Sequence, residues 1–138
     1  MNRKIIFFTI ILCSIAVIFS LCKKIVKPED VYIDYSNSYF SNFYIEGDTV
    51  KFLCSISIVN SGKTEKTIEL SASSQKDCEG GLLKSPTLVA EVENHESAII
   101  IIPPKSKKEI DVIFSGQHGE SNIKEDRLLP EITMVELR

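Results

Sequence analysis

The stretch Val50–Ala72, VKFLCSISIVNSGKTEKTIELSA, decides the fold class. Its first part alternates between an apolar set and a mostly polar set, the period of two that is typical of a β-strand with one buried face. The segment Asn60-Ser61-Gly62-Lys63 has the composition of a turn, because Asn and Gly adopt positive φ at low cost. Alternation resumes from Ile68 to Ala72. The stretch therefore predicts a β-hairpin at the centre of a small sandwich.

The rest of the chain shows more short strand patterns, separated by turns rich in Gly, Pro and Asn. Ile99–Ile102 is a run of four β-branched residues, which predicts a strand covered on both faces, and Pro103 and Pro104 end it. No segment has the periodicity of an amphipathic helix. We therefore expect an all-β sandwich of about seven strands. The other predicted strands or extended pieces are Val31–Tyr35, Leu82–Glu93, Ile110–Phe114 and Ile132–Leu137.

An apolar segment comes before the predicted sandwich. Ile5 to Cys22 is an uncharged run of 18 residues, and a helix of that length rises about 27 Å, close to the hydrocarbon thickness of a bilayer. Arg3 and Lys4 give it the short positive lead of an exported protein. The prediction is an N-terminal transmembrane helix or signal segment at residues 1–24, a juncture at 25–30, and a domain at 31–138 outside the cytoplasm.

The fate of this segment stays open between three alternatives. An uncleaved anchor ranks first, and a cleaved signal peptide, which would make the protein secreted, ranks second. Lipidation at Cys22 ranks third, because Leu21 precedes the cysteine and the match to a lipoprotein signal is poor. The positive charges at Lys23, Lys24 and Lys27 leave the opposite orientation in the membrane as an alternative.

Charge and composition limit the classes of partner. The chain has 138 residues, 43% of them hydrophobic, which is enough for one ordinary core. The part of the chain after the apolar run contains 14 basic and 19 acidic residues. A mildly acidic surface without a cluster of Lys and Arg argues against nucleic acid as a partner.

Aromatic residues are concentrated just after the juncture. All four tyrosines of the chain lie among Ser and Asn residues in this segment, a composition that is common in adaptable binding surfaces. The alternative, which we favour, is a first strand at Val31–Tyr35 followed by an irregular crossing, with the rings covering one edge of the sandwich. The candidate partner surface consists of Tyr32, Tyr35, Tyr39, Phe40, Phe43 and Tyr44.

The sequence has no pattern that specifies a reaction. The cysteine and histidine residues of the predicted domain stand in four separate places, which argues against a metal site. Alternation places Cys54 in the core, where a reactive thiolate is unfavourable. No nucleophile elbow, phosphate loop or dinucleotide motif is present. We therefore expect no cofactor and no enzymatic activity.

Cys54 and Cys78 are a candidate disulfide, because the domain is expected on an oxidising side of the membrane. Closing this loop of about 25 residues would stabilise the fold by about 3 kcal/mol in the chain-entropy model. A bridge between a core strand and a polar loop requires α-carbons within about 7 Å.

Two parts of the sequence, Val50–Asn60 and Ile99–Phe114 (IIIIPPKSKKEIDVIF), resemble the framework of small bacterial immunoglobulin-like domains found outside the membrane. Such domains often run strand, Asn-x-Gly turn, strand, and later strand, Pro-x-Ser turn, strand. The resemblance implies an immunoglobulin-like sandwich with an adhesion, binding or structural role, although the chain lacks the Trp of antibody-type domains.

Two functional hypotheses follow. The first is a module anchored in the cell membrane, with its domain outside the cytoplasm, that binds another envelope protein or acts as a spacer; the sequence does not indicate its oligomeric state. The alternative is a small secreted or membrane-bound hydrolase that uses His118, Glu120 or Asp126. A third possibility, masking of a secreted partner, would point to the segment Leu128-Leu129-Pro130-Glu131 or to the tyrosine-rich segment.

Overall fold

The computed structural model describes residues 30–92, 98–121 and 127–137. This part of the chain is all-β, with eight strands and two short helical segments. In chain order the elements are β1 (Val31–Ile33), a 3-10 turn (Tyr35–Asn37), β2 (Tyr39–Glu46), β3 (Thr49–Asn60), β4 (Lys66–Ser73), the helix α1 (Gln75–Glu79), β5 (Thr87–Val92), β6 (Ile99–Ile102), β7 (Ser106–Gln117) and β8 (Glu131–Leu137).

The first sheet is built around β3. One side of β3 pairs with β7 along its whole length, from Thr49 opposite Gln117 to Asn60 opposite Ser106. The other side pairs with β2 and then with β1, which together form one interrupted edge strand. The last part of β5 adds to the far side of β7. All these pairings are antiparallel.

The second sheet is built around β4. Its partners are β8 on one side and β6 on the other, both antiparallel. β5 connects the two sheets, because it begins beside β4 with Leu88 opposite Ala72 and ends beside β7 with Val92 opposite Val112. Inner residues of both sheets form one hydrophobic core. The prediction of an antiparallel all-β, sandwich-like fold is therefore confirmed.

The alternation seen in the sequence of β3 matches its burial. Even-numbered residues from Val50 to Asn60 are buried, and their partners on β7 include the buried Val112 and Phe114. Odd-numbered residues point to the outer face of the first sheet, where most are partly exposed. This division fixes which side chains of the neighbouring strands reach solvent.

The prediction of a hairpin between Val50 and Ala72 is wrong. Both strands form, but among the described residues β3 and β4 share no hydrogen-bonded ladder and belong to different sheets. The connection at residues 61–65 crosses from one sheet to the other. Asn60 explains this path: it occupies an inner position, is fully buried, and donates from its amide to the carbonyl oxygens of Thr64, Ile102 and Pro103 at 2.9, 3.1 and 3.1 Å.

Three further details differ from expectation. β6 is exposed on one face, with Ile99 and Ile101 45% and 51% exposed, because these residues lie on the outer face of the second sheet, opposite Glu69 and Thr67 of β4. The expected irregular crossing after Tyr35 contains the eight-residue strand β2, and the loop expected at 73–81 contains α1. The turn predicted at 94–97 lies outside the described residues, whereas the final strand after Pro130 is confirmed as β8.

The predicted apolar N-terminal segment also lies outside the described residues. Within residues 30–92, 98–121 and 127–137, no helix is long and apolar enough to cross a membrane.

Candidate functional site

Four exposed tyrosines follow the edge of the first sheet. They lie on β1, the 3-10 turn and β2, and each is between 41% and 59% exposed. We call Tyr32, Tyr35, Tyr39 and Tyr44 the tyrosine surface. These rings are the largest exposed side chains of the segment that the sequence proposed as a partner surface.

Strand register places three of these rings on one face. Tyr32, Tyr39 and Tyr44 lie opposite Val59, Ser55 and Lys51 of β3, which are spaced by four residues and share the outer face. At about 3.3 Å per residue, the row from Tyr32 to Tyr44 is about 26 Å long. It runs along the sheet from one end to the other.

The two phenylalanines of the candidate partner surface turn inward. Phe40 and Phe43 pack against the core, each with its ring centroid 6.2 Å from that of Phe52. A register shift between Phe40 and Asn42 allows β2 to keep its phenylalanines inside and its tyrosines outside. The six aromatic residues named from the sequence therefore divide into two core residues and the four of the tyrosine surface.

A polar turn fixes the backbone between Tyr32 and Tyr39. Asp34 accepts hydrogen bonds from the Ser36 hydroxyl at 2.6 Å and the Asn37 amide at 2.7 Å. These bonds, with a smaller effect of Lys107 at 3.3 Å, lower the pKa of Asp34 from its ordinary 3.8 to about 2. The carboxylate is therefore ionised over the whole neutral range and holds the turn that carries Tyr35.

The same turn is attached to β3 by two hydrogen bonds, and a third closes the turn itself. The backbone N–H of Asp34 donates to the carbonyl oxygen of Ser57 at 2.8 Å, and the backbone N–H of Ser57 donates to the hydroxyl of Ser38 at 2.9 Å. The Ser38 hydroxyl in turn donates to the carbonyl oxygen of Asp34 at 2.8 Å. The turn covers Ser57, which is fully buried although it lies on the outer face of β3.

At the Tyr44 end of the row, the ammonium group of Lys51 lies beside the tyrosine ring. The Nζ atom of Lys51 is 5.8 Å from the ring centroid of Tyr44 and 2.5 Å from the Oε2 atom of Glu46. This ion pair lowers the pKa of Glu46 and raises that of Lys51. The tyrosine surface thus joins exposed rings with charged and hydroxyl groups, a combination that forms hydrogen bonds as well as apolar contacts.

A cavity of about 280 Å³ lies beside α1 and the chain that leads into β8. The guanidinium of Arg127 forms an ion pair with Asp77 and lies 4.5 Å from the ring centroid of Phe43. Asp77 also accepts a hydrogen bond from the Ser74 hydroxyl at 2.5 Å. Arg127 therefore connects α1 to the inner side of β2, a role that no sequence pattern indicated. The cavity is lined by Ser73, Ser74, Gln75, Lys76, Asp77, Gly80, Leu82, Arg127, Leu128, Leu129, Pro130 and Glu131.

The two cysteines of the domain are free thiols in the structure. Cys54 is buried in the core opposite Val112, and this burial raises the pKa of its thiol to about 12. Cys78 is partly buried on α1. The candidate disulfide between them is not formed in this structure.

The residues named for the hydrolase alternative lie in different settings. The Nε2 atom of His118 is 3.4 Å from the carbonyl oxygen of Ser121, Glu120 is exposed, and Asp126 lies outside the described residues. In the part of the chain that the structure describes, no group of three His, Cys, Asp or Glu side chains is placed to hold a metal ion. The hydrolase alternative stays a prediction.

Comparison of the chain with protein-family models, with curated proteins and with solved structures gave no significant match.

Proposed function

We propose that this protein is a non-catalytic binding module of the cell envelope, anchored in the membrane by residues 5–22, with its tyrosine surface as the docking site for another envelope protein. The proposal also holds that the domain is an immunoglobulin-like sandwich outside the cytoplasm. The observation that carries the proposal is the row of three exposed tyrosines on one face of the first sheet.

The physical properties of tyrosine favour a protein as the partner. Each ring offers a large rigid contact area and loses little conformational entropy on binding, and its hydroxyl forms hydrogen bonds. Tyrosine is accordingly enriched among the residues that dominate binding energy at protein interfaces. The row is about 26 Å long, which is enough to extend across an interface of ordinary size, one that buries about 800 Å² on each partner.

The edge position of β2 adds a second mode of contact. Among the described strands, β2 pairs with β3 alone, so its outer backbone N–H and C=O groups are available to a strand from a partner. The register shift at Ser41 interrupts this edge, and the charged side chain of Glu46 stands at its end. Such features reduce unspecific pairing of edges, which suits a surface that must select its partner.

Support for the immunoglobulin-like class comes from the two antiparallel sheets around one core and from the passage of β5 between them. Support for the location comes from the apolar run and its positive lead. Resistance of the chain to alkaline carbonate extraction, together with cleavage of the domain by protease added to intact cells, tests the location. Recovery of the chain in the cytoplasmic fraction would contradict it.

Site-specific cross-linking tests the docking site. A photoreactive phenylalanine derivative replaces Tyr39 in the full chain, and in a matched control it replaces Thr133, which is exposed on the outer face of the second sheet. We expect a specific cross-linked protein from position 39 and none from position 133. Equal cross-linking from both positions would contradict the proposal.

Affinity measurements with the cross-linked partner, once purified, complete the test. We expect Tyr39→Ala and Tyr44→Ala each to weaken binding about 30-fold, the effect of losing a residue that contributes about 2 kcal/mol to an interface. Tyr39→Phe keeps the ring and should retain most of the affinity, and Thr133→Ala should change nothing. Unchanged affinity in both Tyr→Ala variants would show that the contact lies elsewhere.

A further inference from the structure

One end of the sandwich is built from two connections that are bound to each other. Residues 61–65 join β3 to β4, and residues 103–105 join β6 to β7. Asn60 ties them through its amide bonds to both, and the backbone N–H of Lys105 donates to the carbonyl oxygen of Gly62 at 3.1 Å. We call residues 61–65 and 103–108 the lysine end. Its hydrogen bonds hold the two connections together as one surface.

The described chain begins at this end. The carbonyl oxygen of Asp30 accepts hydrogen bonds from the backbone N–H of Ser61 at 2.7 Å and from its hydroxyl at 3.1 Å. Val31 then pairs with Asn60. Only seven residues, 23–29, separate Asp30 from the apolar run that ends at Cys22. The eight steps from Cys22 to Asp30 span at most about 29 Å.

This short connection determines which end of the domain lies nearest a membrane. With residues 5–22 in a bilayer, Asp30 lies within about 29 Å of the bilayer surface. β3 is 12 residues long, so the turn at Gly47 lies about 40 Å away along the sheet. The lysine end is therefore the part of the domain that the anchor brings to the headgroups.

Three lysines of this end can contact an anionic surface. Lys63, Lys105 and Lys108 are exposed, and among the described residues none of them has a carboxylate within ion-pair distance. Lys105 has a left-handed backbone, with φ of 52°, and its Nζ atom donates to the carbonyl oxygen of Ser61 at 2.5 Å. The Nζ atom of Lys108 donates to the carbonyl oxygen of Ile101 at 3.3 Å.

Other charged groups at this end bring its formal charge to zero, five lysines against five carboxylates, but among the described residues none of these carboxylates pairs with the three lysines. Lys66 pairs with Glu136, and Lys107 lies close to Asp34 and Glu109. The exposed carboxylates of Asp30 and Glu65 also lie here. In the sequence, the connection to the apolar run adds Lys23, Lys24 and Lys27 against Glu29.

We propose that the lysine end docks on anionic lipid headgroups through Lys63, Lys105 and Lys108, and so holds the domain upright with the Gly47 turn pointing away from the membrane. The proposal rests on the membrane anchor of the proposed function. A lysine near an anionic bilayer changes the docked-to-undocked ratio about fivefold. This attraction acts within a Debye length of about 10 Å at 0.1 M salt, a range that the short connection allows the lysines to reach.

The test uses the full chain, isotope-labelled and reconstituted in nanodiscs whose lipids include one with a gadolinium chelate on its headgroup. Discs of phosphatidylcholine alone are compared with discs that also contain phosphatidylglycerol. With phosphatidylglycerol we expect the backbone amide signals of residues 61–65 and 105 to broaden and those of Gly47 and Asp48 to stay sharp. With phosphatidylcholine alone we expect clearly weaker broadening of residues 61–65 and 105, and again none at Gly47 and Asp48.

Variants distinguish lysine contacts from proximity imposed by the anchor. Lys63→Gln with Lys108→Gln should lower the docked-to-undocked ratio about 25-fold, two lysines at about fivefold each. Lys84→Gln is the control, because Lys84 is exposed near the opposite end, where its backbone N–H donates to Gln117. It should leave the broadening unchanged. Lys105 is left intact because it also bonds Ser61.

Three outcomes would overturn the proposal, and they differ in what else they affect. Equal broadening in both lipids would show that the anchor alone brings this end near the membrane. Sharp signals in both lipids, with the chain inserted in the disc, would show that the domain does not dock. Both results leave the membrane anchor standing. A chain that fails to insert in the disc would overturn the anchor and the docking together.

Discussion

Asn60→Ala gives the most direct test of how the two sheets are joined. Asn60 is fully buried, and its side chain donates to the carbonyl oxygens of Thr64, Ile102 and Pro103 while its Oδ1 atom accepts from the backbone N–H of Gly62 at 2.9 Å. The amide has two hydrogens, so its three donated contacts amount to about two full bonds. Alanine removes these and the accepted bond, and leaves the N–H of the buried Gly62 without this partner.

The expected loss of stability follows from these bonds. Three hydrogen bonds at about 1 kcal/mol each, with an added penalty for buried groups left unpaired, give about 3 to 4 kcal/mol. This is a large share of the 5 to 15 kcal/mol that is typical of a domain. Urea unfolding followed by circular dichroism should show a much lower midpoint with an unchanged slope, because the surface exposed on unfolding stays the same.

Two further variants separate this role from general effects of substitution. Asn42→Ala removes an exposed side chain of β2 whose one hydrogen bond within the described residues is accepted from the backbone N–H of its neighbour Phe43, so we expect a change within about 0.5 kcal/mol. Asn60→Asp keeps the size of the side chain but places a carboxylate without donors against three carbonyl oxygens. It should destabilise at least as much as alanine at neutral pH. A loss below about 1 kcal/mol in both Asn60 variants would refute the reasoning.

Three other predictions concern separate parts of the domain. Gly119→Ala places a Cβ atom on the carbonyl oxygen of Gly81, so thermal unfolding should show a loss of about 1 to 3 kcal/mol; an unchanged melting temperature would contradict this packing. The low pKa of Asp34 means that its contribution to stability is complete above pH 3.8 and is lost as the pH falls to about 2. Asp34→Asn should therefore weaken the acid dependence of urea unfolding in that window. An unaltered dependence would exclude the hydrogen bonds of Asp34 as its cause. Because burial raises the pKa of Cys54 to about 12, iodoacetamide should modify Cys54 only as fast as the protein unfolds, and rapid modification of the native protein would contradict its place in the core.

The sequence predicts the strands of this fold better than their partners. The alternation of β3 is clear because its inner residues are apolar and most of its outer residues are polar, and this correctly gave the buried face. The composition of the turn after Asn60 suits any sharp change of direction, so it predicts a hairpin as readily as a crossing between sheets. The informative signal was Asn60 itself, a polar residue at an inner position, which requires buried partners from another part of the chain.

Two other differences have similar physical causes. In β6 all four residues are β-branched, so the pattern holds no period and cannot show that Ile99 and Ile101 face solvent. The sequence of β2 shows no strand pattern, because its register shift breaks the alternation between Phe40 and Phe43. Arg127 has no sequence signal at all, because its contacts with Asp77 and Phe43 depend on how the chain folds between distant elements.

The separation of core and surface on β3 makes the tyrosine surface a good place to test function. Tyr32, Tyr39 and Tyr44 lie opposite odd-numbered residues of β3, whereas the side chains that β3 contributes to the core are even-numbered. The odd-numbered Ser57 is buried as well, but under the turn and not in the core. Replacing these rings by alanine removes partly exposed side chains and opens no cavity in the core. We therefore expect such variants to fold with nearly unchanged stability, so that a loss of binding in them reports on the partner contact itself. The inward Phe43 is the internal contrast, because Phe43→Ala removes contacts with Phe52 and Arg127 and should lower stability before it affects binding.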